Sequence, residues 1–222
     1  KPSIESTAVS NATGLGVPSN GLLYPPASVE DIPYVTRPIS EGGVLERKGM
    51  VEVISSLEAD GRQIPYDIRM GVWVTVEAET DYIKNCFEEY NAHTDPSGRY
   101  FTLYKRWHLI GLEVGVSVAS VALRNEPTGV ATNWNADVVA TAKRDLRPGE
   151  LLDGEGGYTV WGKLLPATTS KKMGGVPLGL AHGVKVVRPV AKGQSLSWDD
   201  VAMDTTTHAY KIRHEMEAGY NF

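Results

Sequence analysis

Apolar side chains recur at helical spacing in three stretches of this sequence. The opening stretch follows Pro2, which suits a first helical position, and ends before Gly14, which suits the residue after a helix. A second helix is expected after Thr80, whose hydroxyl suits an N-cap. The longest apolar run, residues 109–123, is predicted to be a buried core helix, because a helix that is apolar on every side belongs in a protein interior.

Residues 50–57 and 68–78 alternate apolar and polar side chains in places, which predicts two β-strands. Asp60-Gly61 between them is typical of a turn, so we expect the two strands to pair as an antiparallel hairpin. Apolar side chains stand on both faces of the second strand, and only one face can pack on the chain itself. A homodimer held by these strands is therefore expected.

The last third of the chain contains one pattern twice. The segments DVVATAKRDLRPGELL and HGVKVVRPVAKGQSLSWDDV align on Gly149 and Gly193, and Leu146 then falls on Val190. Each copy has a strand, a basic residue, a glycine turn and a second short strand, which predicts a small all-β module with pseudo-twofold symmetry. The predicted fold class is thus α+β: an antiparallel sheet with helices in residues 1–135, then a β module in residues 136–222.

Composition narrows the classes of protein to consider. The 222 residues are 41% hydrophobic and 22% charged, as in ordinary globular proteins. The net charge of -5 argues against a nucleic-acid partner, which usually requires a basic face. The single cysteine excludes an intrachain disulfide and favours a reducing compartment, and we expect a cytoplasmic protein. No signal peptide or membrane span is predicted, so no membrane partner is expected.

Three basic side chains stand just ahead of the predicted apolar helix: Lys105, Arg106 and His108. The N–H groups of the first helical turn have no partner within the helix, and together with nearby cations they favour a bound anion. These residues are therefore candidates for binding a phosphate or carboxylate group. The alternative is an ordinary solvated basic loop, in which His108 caps the helix or is satisfied in the core.

A second candidate site lies in the glycine-rich segment DGEGGYTVWGKLLPA, which contains Glu155 and Lys163. Glycine allows the backbone to approach a ligand closely, and a carboxylate near an ammonium group can serve as acid, base or substrate anchor. The alternative is a glycine-rich loop with solvated charges. No metal-binding motif is present, so no metal site is expected. The sequence also contains no dinucleotide-binding fingerprint after a strand.

Three long segments carry a family resemblance: SGRYFTLYKRWHLIGLEVGVSVASVALRNEPTG, DVVATAKRDLRPGELLDGEGGYTVWGKL and GLAHGVKVVRPVAKGQ. They resemble a bacterial family of NAD(P)-dependent oxidoreductases, described as homoserine-dehydrogenase-like or deoxyxylulose phosphate reductoisomerase-like, with a C-terminal SAF domain. The resemblance covers essentially the whole chain. It implies a Rossmann domain ahead of this chain, a catalytic and dimerisation region in residues 1–135, and a SAF (β-clip) module in residues 136–222.

The resemblance also implies an activity. Hydride would pass between NADP or NAD and a small, phosphorylated or acidic, polyol-derived carbonyl compound, with the cofactor bound mainly by the Rossmann domain outside this chain. The 222 residues alone are therefore expected to be inactive. The expected substrate-binding residues are Lys1, which matches a lysine in the family's segment after the Rossmann domain, and Lys105, Arg106 and His108. The expected catalytic residues are Lys163, which would polarise or protonate the substrate oxygen, and its partner Glu155.

Two other functions fit the same sequence. SAF-type domains also occur as non-catalytic modules that bind sugars or sugar acids or that support assembly. They are also found in sugar-acid lyases and dehydratases. The reading frame upstream of Lys1 discriminates between these functions, since a glycine-rich strand–turn–helix there would support the oxidoreductase.

Overall fold

The computed structural model describes residues 1–222, which divide into two units. One, called here the terminal unit, comprises Lys1–Leu22 and Ala131–Phe222. The other, called the central unit, comprises Leu23–Val130. The opening segment thus belongs to the same unit as the C-terminal residues, and the domain boundary at residue 135 stays a prediction.

The first helix of the terminal unit, α1 (Pro2–Thr13), begins and ends as predicted. Pro2 occupies its first turn, and Gly14 follows it with a left-handed φ of 79°, a conformation that glycine adopts without strain. The side chain of Asn11 accepts hydrogen bonds from the backbone N–H groups of Asn135 (2.8 Å) and Ala136 (2.9 Å). These bonds help to hold the helix at the start of the chain against residues far along it.

Two small antiparallel sheets belong to the terminal unit. Strand β3 (Ala136–Ala142) pairs with β5 (Val160–Pro166), and β4 (Leu151–Asp153), β6 (His182–Val186) and β7 (Val201–Ala202) form a sheet in the order β4-β6-β7. Backbone bonds relate the two copies of the repeated pattern, as a twofold axis would require. They join Gly149 N to Val186 O, and Gly193 N to Ala142 O, both at 2.8 Å.

Two helices that the sequence pattern did not indicate belong to the same unit: α5 (Ala167–Met173) and α6 (His208–Gly219). Arg213 on α6 forms an ion pair with the buried carboxylate of Asp137 on β3, and its guanidinium lies 4.7 Å from the ring centroid of Trp134. The predicted α+β class is confirmed, and five of the seven strands lie in the C-terminal part.

The central unit contains α2 (Ile32–Val35), β1 (Val72–Glu77), α3 (Asp81–Glu89), β2 (Tyr100–Lys105) and α4 (Ile110–Arg124). Thr80 is the N-cap of α3, as predicted, and its hydroxyl accepts a hydrogen bond from the N–H of Ile83. The inner face of the β1–β2 sheet packs through Trp73 and Tyr104 on a small core around Ile32.

The predicted hairpin of residues 50–57 with 68–78 is wrong. Strand β1 pairs instead with β2, with Val74 opposite Leu103. Residues 50–57 form no strand, because the buried carboxylate of Glu52 accepts hydrogen bonds from the backbone N–H groups of Leu23 (3.1 Å) and Val53 (2.8 Å). The segment is therefore tied to residues near 23 rather than to β1.

The prediction that residues 109–123 are buried is also wrong for this chain. None of the residues of α4 is buried, and Leu112 is 80% exposed. The apolar composition shows that the helix needs a covering surface, but no element of the chain provides one. No helix of the structure has the length and apolar character that crossing a membrane requires.

Candidate functional site

The three basic residues predicted to bind an anion lie on the short connection between β2 and α4. Lys105 is the last residue of β2, and α4 begins at Ile110 without a side-chain cap. The backbone N–H of His108 donates to the carbonyl of Met70 at 2.7 Å, which fixes the connection to the residues just before β1. The sequence therefore places these side chains at the start of α4, as predicted.

Glu113, in the first turn of α4, joins two of these residues. One carboxylate oxygen forms an ion pair with Nζ of Lys105, and the other lies 2.6 Å from Nδ1 of His108. The hydrogen bond from Lys105, followed by that from His108, lowers the pKa of Glu113 against the opposing effect of desolvation. The sequence prediction missed Glu113. An acidic residue in the first turn of a helix, preceded closely by two cations, is the signal that could have indicated it.

Arg106 is arranged differently from its neighbours. It forms no ion pair, and its guanidinium carbon lies 5.0 Å from the ring centroid of Trp107. No hydrogen bond within the chain uses the N–H groups of this guanidinium, which are therefore available for a ligand. Because Lys105 and His108 share the charge of Glu113, Arg106 carries the uncompensated positive charge of this connection.

The two predicted catalytic residues lie in the terminal unit and are not joined to each other. Lys163, on β5, donates from Nζ to Oδ1 of Asn20 at 2.6 Å, and Gly21 lies against its aliphatic stem. Glu155 lies on the exposed turn between β4 and β5 and forms no hydrogen bond or ion pair. Lys1 is the N-cap residue of α1, without a side-chain capping bond.

The glycine-rich loop is organised around Asp153, which the sequence prediction did not single out. Its carboxylate accepts hydrogen bonds from the N–H groups of Tyr158 (2.5 Å) and Thr159 (3.0 Å) and from the Thr159 hydroxyl. Desolvation opposes these bonds, yet they outweigh it and lower the pKa of Asp153 to about 2. The N–H groups of the loop are thus directed at a side chain of the chain itself.

Neither a cluster of metal ligands nor the turn that binds a dinucleotide is found in the structure. No group of three or more histidine, cysteine, aspartate or glutamate side chains is placed to hold a metal ion. All three sheets are antiparallel, and no glycine-rich turn joins a strand to a helix. A nicotinamide dinucleotide binds at such a turn in a parallel βαβ unit, so the residues present do not fit it.

Comparison with known families finds two matches in this chain. Residues 1–114 match the family described as oxidoreductase DRL, catalytic domain, and residues 137–202 match the SAF domain. No curated protein matches the chain. The first match covers more than half of the chain, which therefore belongs to this oxidoreductase family and carries a SAF domain. Lys105, Arg106, His108 and Glu113 lie in the catalytic domain, whereas Glu155 and Lys163 lie in the SAF domain.

Proposed function

We propose that this member of the oxidoreductase family is the substrate-binding part of an NAD(P)H-dependent enzyme that acts on a small carbonyl compound bearing a phosphate or carboxylate group. The observation that carries the proposal is the basic connection before α4, within the matched catalytic domain. A cation without an ionic partner, at the start of a helix, is suited to an anionic group of a substrate.

Different residues of this connection would make different contacts with the anionic group. Arg106 can offer two parallel N–H groups to one phosphate or carboxylate, which gives direction as well as affinity. Gly111, in the first turn of α4, has open space where a Cβ atom would stand, so a ligand can approach the unpaired N–H groups of that turn. Lys105 would contribute through its remaining donors, and His108 would donate from Nε2 when its ring is protonated.

The nicotinamide cofactor would supply or accept the hydride, and it would be bound mainly by a domain outside this chain, because the residues present do not fit it. The chain alone is therefore expected to bind neither NADPH nor NADH. Lys163 remains our proposed residue for polarising the substrate oxygen, with Glu155 as its partner. After its bond to Asn20, the ammonium group of Lys163 keeps two N–H donors for this role.

The outer face of the β1–β2 sheet supports a homodimer. Its exposed apolar side chains are Val72, Val74, Val76 and Leu103. Two strands with one uncovered apolar face are only marginally stable in water, and a second copy of the same face would cover both.

Calorimetric titration with inorganic phosphate tests the anion site. The Arg106→Ala variant is expected to bind phosphate at least about tenfold more weakly, since a charged hydrogen bond contributes about 1.5–3 kcal/mol. Arg124→Ala is the matched control, because Arg124 lies in the last turn of the same helix, where the helix dipole disfavours an anion. Equal phosphate affinity in the wild type and both variants would contradict the proposed site.

A further inference from the structure

The carboxylate of Glu113 determines which nitrogen of the His108 ring carries a proton. An ionised carboxylate only accepts hydrogen bonds, and Oε2 of Glu113 lies 2.6 Å from Nδ1 of His108. Nδ1 must therefore bear the hydrogen. In the neutral ring, the second nitrogen, Nε2, is then left with its lone pair free to accept a proton.

Nε2 of His108 is available to a ligand. It forms no hydrogen bond within the chain, and the side chain is about half exposed. The backbone of the same residue is held by the carbonyl of Met70, so the ring is fixed at both its main chain and its Nδ1 atom. A ring held in this way presents Nε2 in one direction.

Lys105 keeps Glu113 in the state that this arrangement requires. Its ammonium group pairs with Oε1 of Glu113, the oxygen that His108 does not use. That ion pair favours the ionised carboxylate, and both oxygens are then engaged. The three side chains form one hydrogen-bonded chain from Lys105 through Glu113 to His108.

We propose that Glu113 is a positioning residue that holds His108 in the Nδ1–H tautomer, so that Nε2 transfers a proton to and from an oxygen of the substrate. The proposal rests on the proposed function. When a substrate hydroxyl is oxidised, its O–H bond breaks and the Nε2–H bond forms. The electron pair left on the oxygen forms the second C–O bond as the adjacent C–H bond breaks, and the hydride from that bond would pass to the oxidised nicotinamide cofactor of the proposed function. The imidazolium ion that results is stabilised by Glu113, and in the reverse direction the proton returns from Nε2 to the oxygen.

Long-range ¹H–¹⁵N NMR of the histidine ring in this 222-residue chain tests the positioning without any substrate. Neutral His108 is expected to be the Nδ1–H tautomer in the wild type and to change to the Nε2–H tautomer in Glu113→Ala. Glu113→Gln should retain the wild-type tautomer, because its amide oxygen still accepts from Nδ1. Glu126→Ala, just beyond the other end of α4, is the matched control and should change nothing. An Nε2–H tautomer in the wild type, or the same tautomer in Glu113→Ala, would overturn the proposal.

Steady-state kinetics of the full protein, with any hydroxy or carbonyl compound that it turns over, tests the proton transfer. Glu113→Ala is expected to lower kcat about 100-fold, the lower end of the usual effect of general acid–base catalysis, and to change KM less than about threefold. Arg106→Ala should instead act mainly on KM. A Glu113→Ala variant that changes KM alone would refute the proton-transfer role. If every compound tested with NADPH and NADH is inert, the proposed function fails, and the tautomer result still decides the positioning.

Discussion

Leu146 and Val190 exchange two backbone hydrogen bonds, from N of Leu146 to O of Val190 at 2.8 Å and back at 3.1 Å. They occupy the same position in the two copies of the repeated pattern, so this pair lies where the pseudo-twofold axis of the strand-rich module passes. Both side chains are almost fully buried in its core. The core of the module is thus assembled from equivalent residues of the two copies.

Replacing Leu146 by Ala is expected to lower the free energy of unfolding by about 2–5 kcal/mol, because the lost side chain leaves a cavity at the centre of this core. Leu151→Ala is the matched control. Leu151 is 59% exposed on β4, and its replacement is expected to cost less than about 0.5 kcal/mol. Urea denaturation measures both changes. Equal losses in the two variants would show that Leu146 does not lie in a packed core.

Gly157 is expected to tolerate no side chain. A Cβ atom there would lie 2.1 Å from the Asp153 carboxyl carbon, and that carboxylate cannot move without losing its bonds to Tyr158 and Thr159. Gly157→Ala should therefore destabilise the chain by about 1–3 kcal/mol. Thermal unfolding measures this change. In the control Gly179→Ala, where a Cβ atom would meet open space, stability should be unchanged or slightly higher. Equal stability of the two variants would show that the loop closes differently.

Asp153 is expected to make the stability of the chain depend on acid pH. Its folded-state pKa of about 2 lies below the unfolded value of about 3.9, so the ionised carboxylate stabilises the folded state at neutral pH. This contribution is lost as the pH falls from about 4 through about 2. Urea denaturation measures the free energy of unfolding at each pH. Between about pH 4 and about pH 2, Asp153→Asn should lose less of this free energy than the wild type does. Asp199→Asn, at an exposed aspartate, is the control and should lose as much as the wild type. An unchanged loss in Asp153→Asn would contradict the assigned hydrogen bonds.

The exposed apolar outer face of the β1–β2 sheet predicts that the protein forms a homodimer. Val74 is 54% exposed at the centre of this face, and Val74→Asp is expected to convert a dimer to a folded monomer by placing a charge in a desolvated contact. Val187→Asp, at an exposed valine of the terminal unit, should leave the dimer intact. Light scattering at tens of micromolar measures the mass. A wild-type monomer at that concentration would refute the homodimer.

Elements with local signals could be predicted from the sequence. The bounds of α1 follow from Pro2 and Gly14, the start of α3 follows from Thr80, and the aligned repeat indicated the strand-rich module. In each case the residues that determine the structure are close neighbours in sequence or recur as a copy. Hydrogen bonds and backbone preferences within a few residues are sufficient to specify them.

Partners that are distant in sequence could not be predicted in this way. The pattern of residues 72–77 indicates a strand but not that its partner is β2, beyond an intervening helix. Nothing in the alternation of residues 50–57 shows that the Glu52 carboxylate, rather than a neighbouring strand, satisfies nearby N–H groups. Long-range pairing depends on which of several compatible surfaces meet, and a local pattern does not contain that information.

The same limit applies to the candidate site. The sequence indicated an anion site at Lys105, Arg106 and His108, because cations just before a helix add to the positive end of the helix dipole. In the sequence, Glu113 is an acidic residue of a first helical turn, and nothing indicates its contacts with other side chains. Only the bend between β2 and α4 brings its carboxylate to both Lys105 and His108.

Diffraction from crystals soaked in tungstate tests the central claim most directly, because tungstate has the charge and tetrahedral shape of phosphate and scatters anomalously. The claim is that the connection before α4 binds the anionic group of a substrate. It predicts an anomalous peak within hydrogen-bonding distance of the Arg106 guanidinium, and the loss of that peak in Arg106→Ala. Peaks confined to other basic residues, such as Lys171 and Lys172, would contradict it.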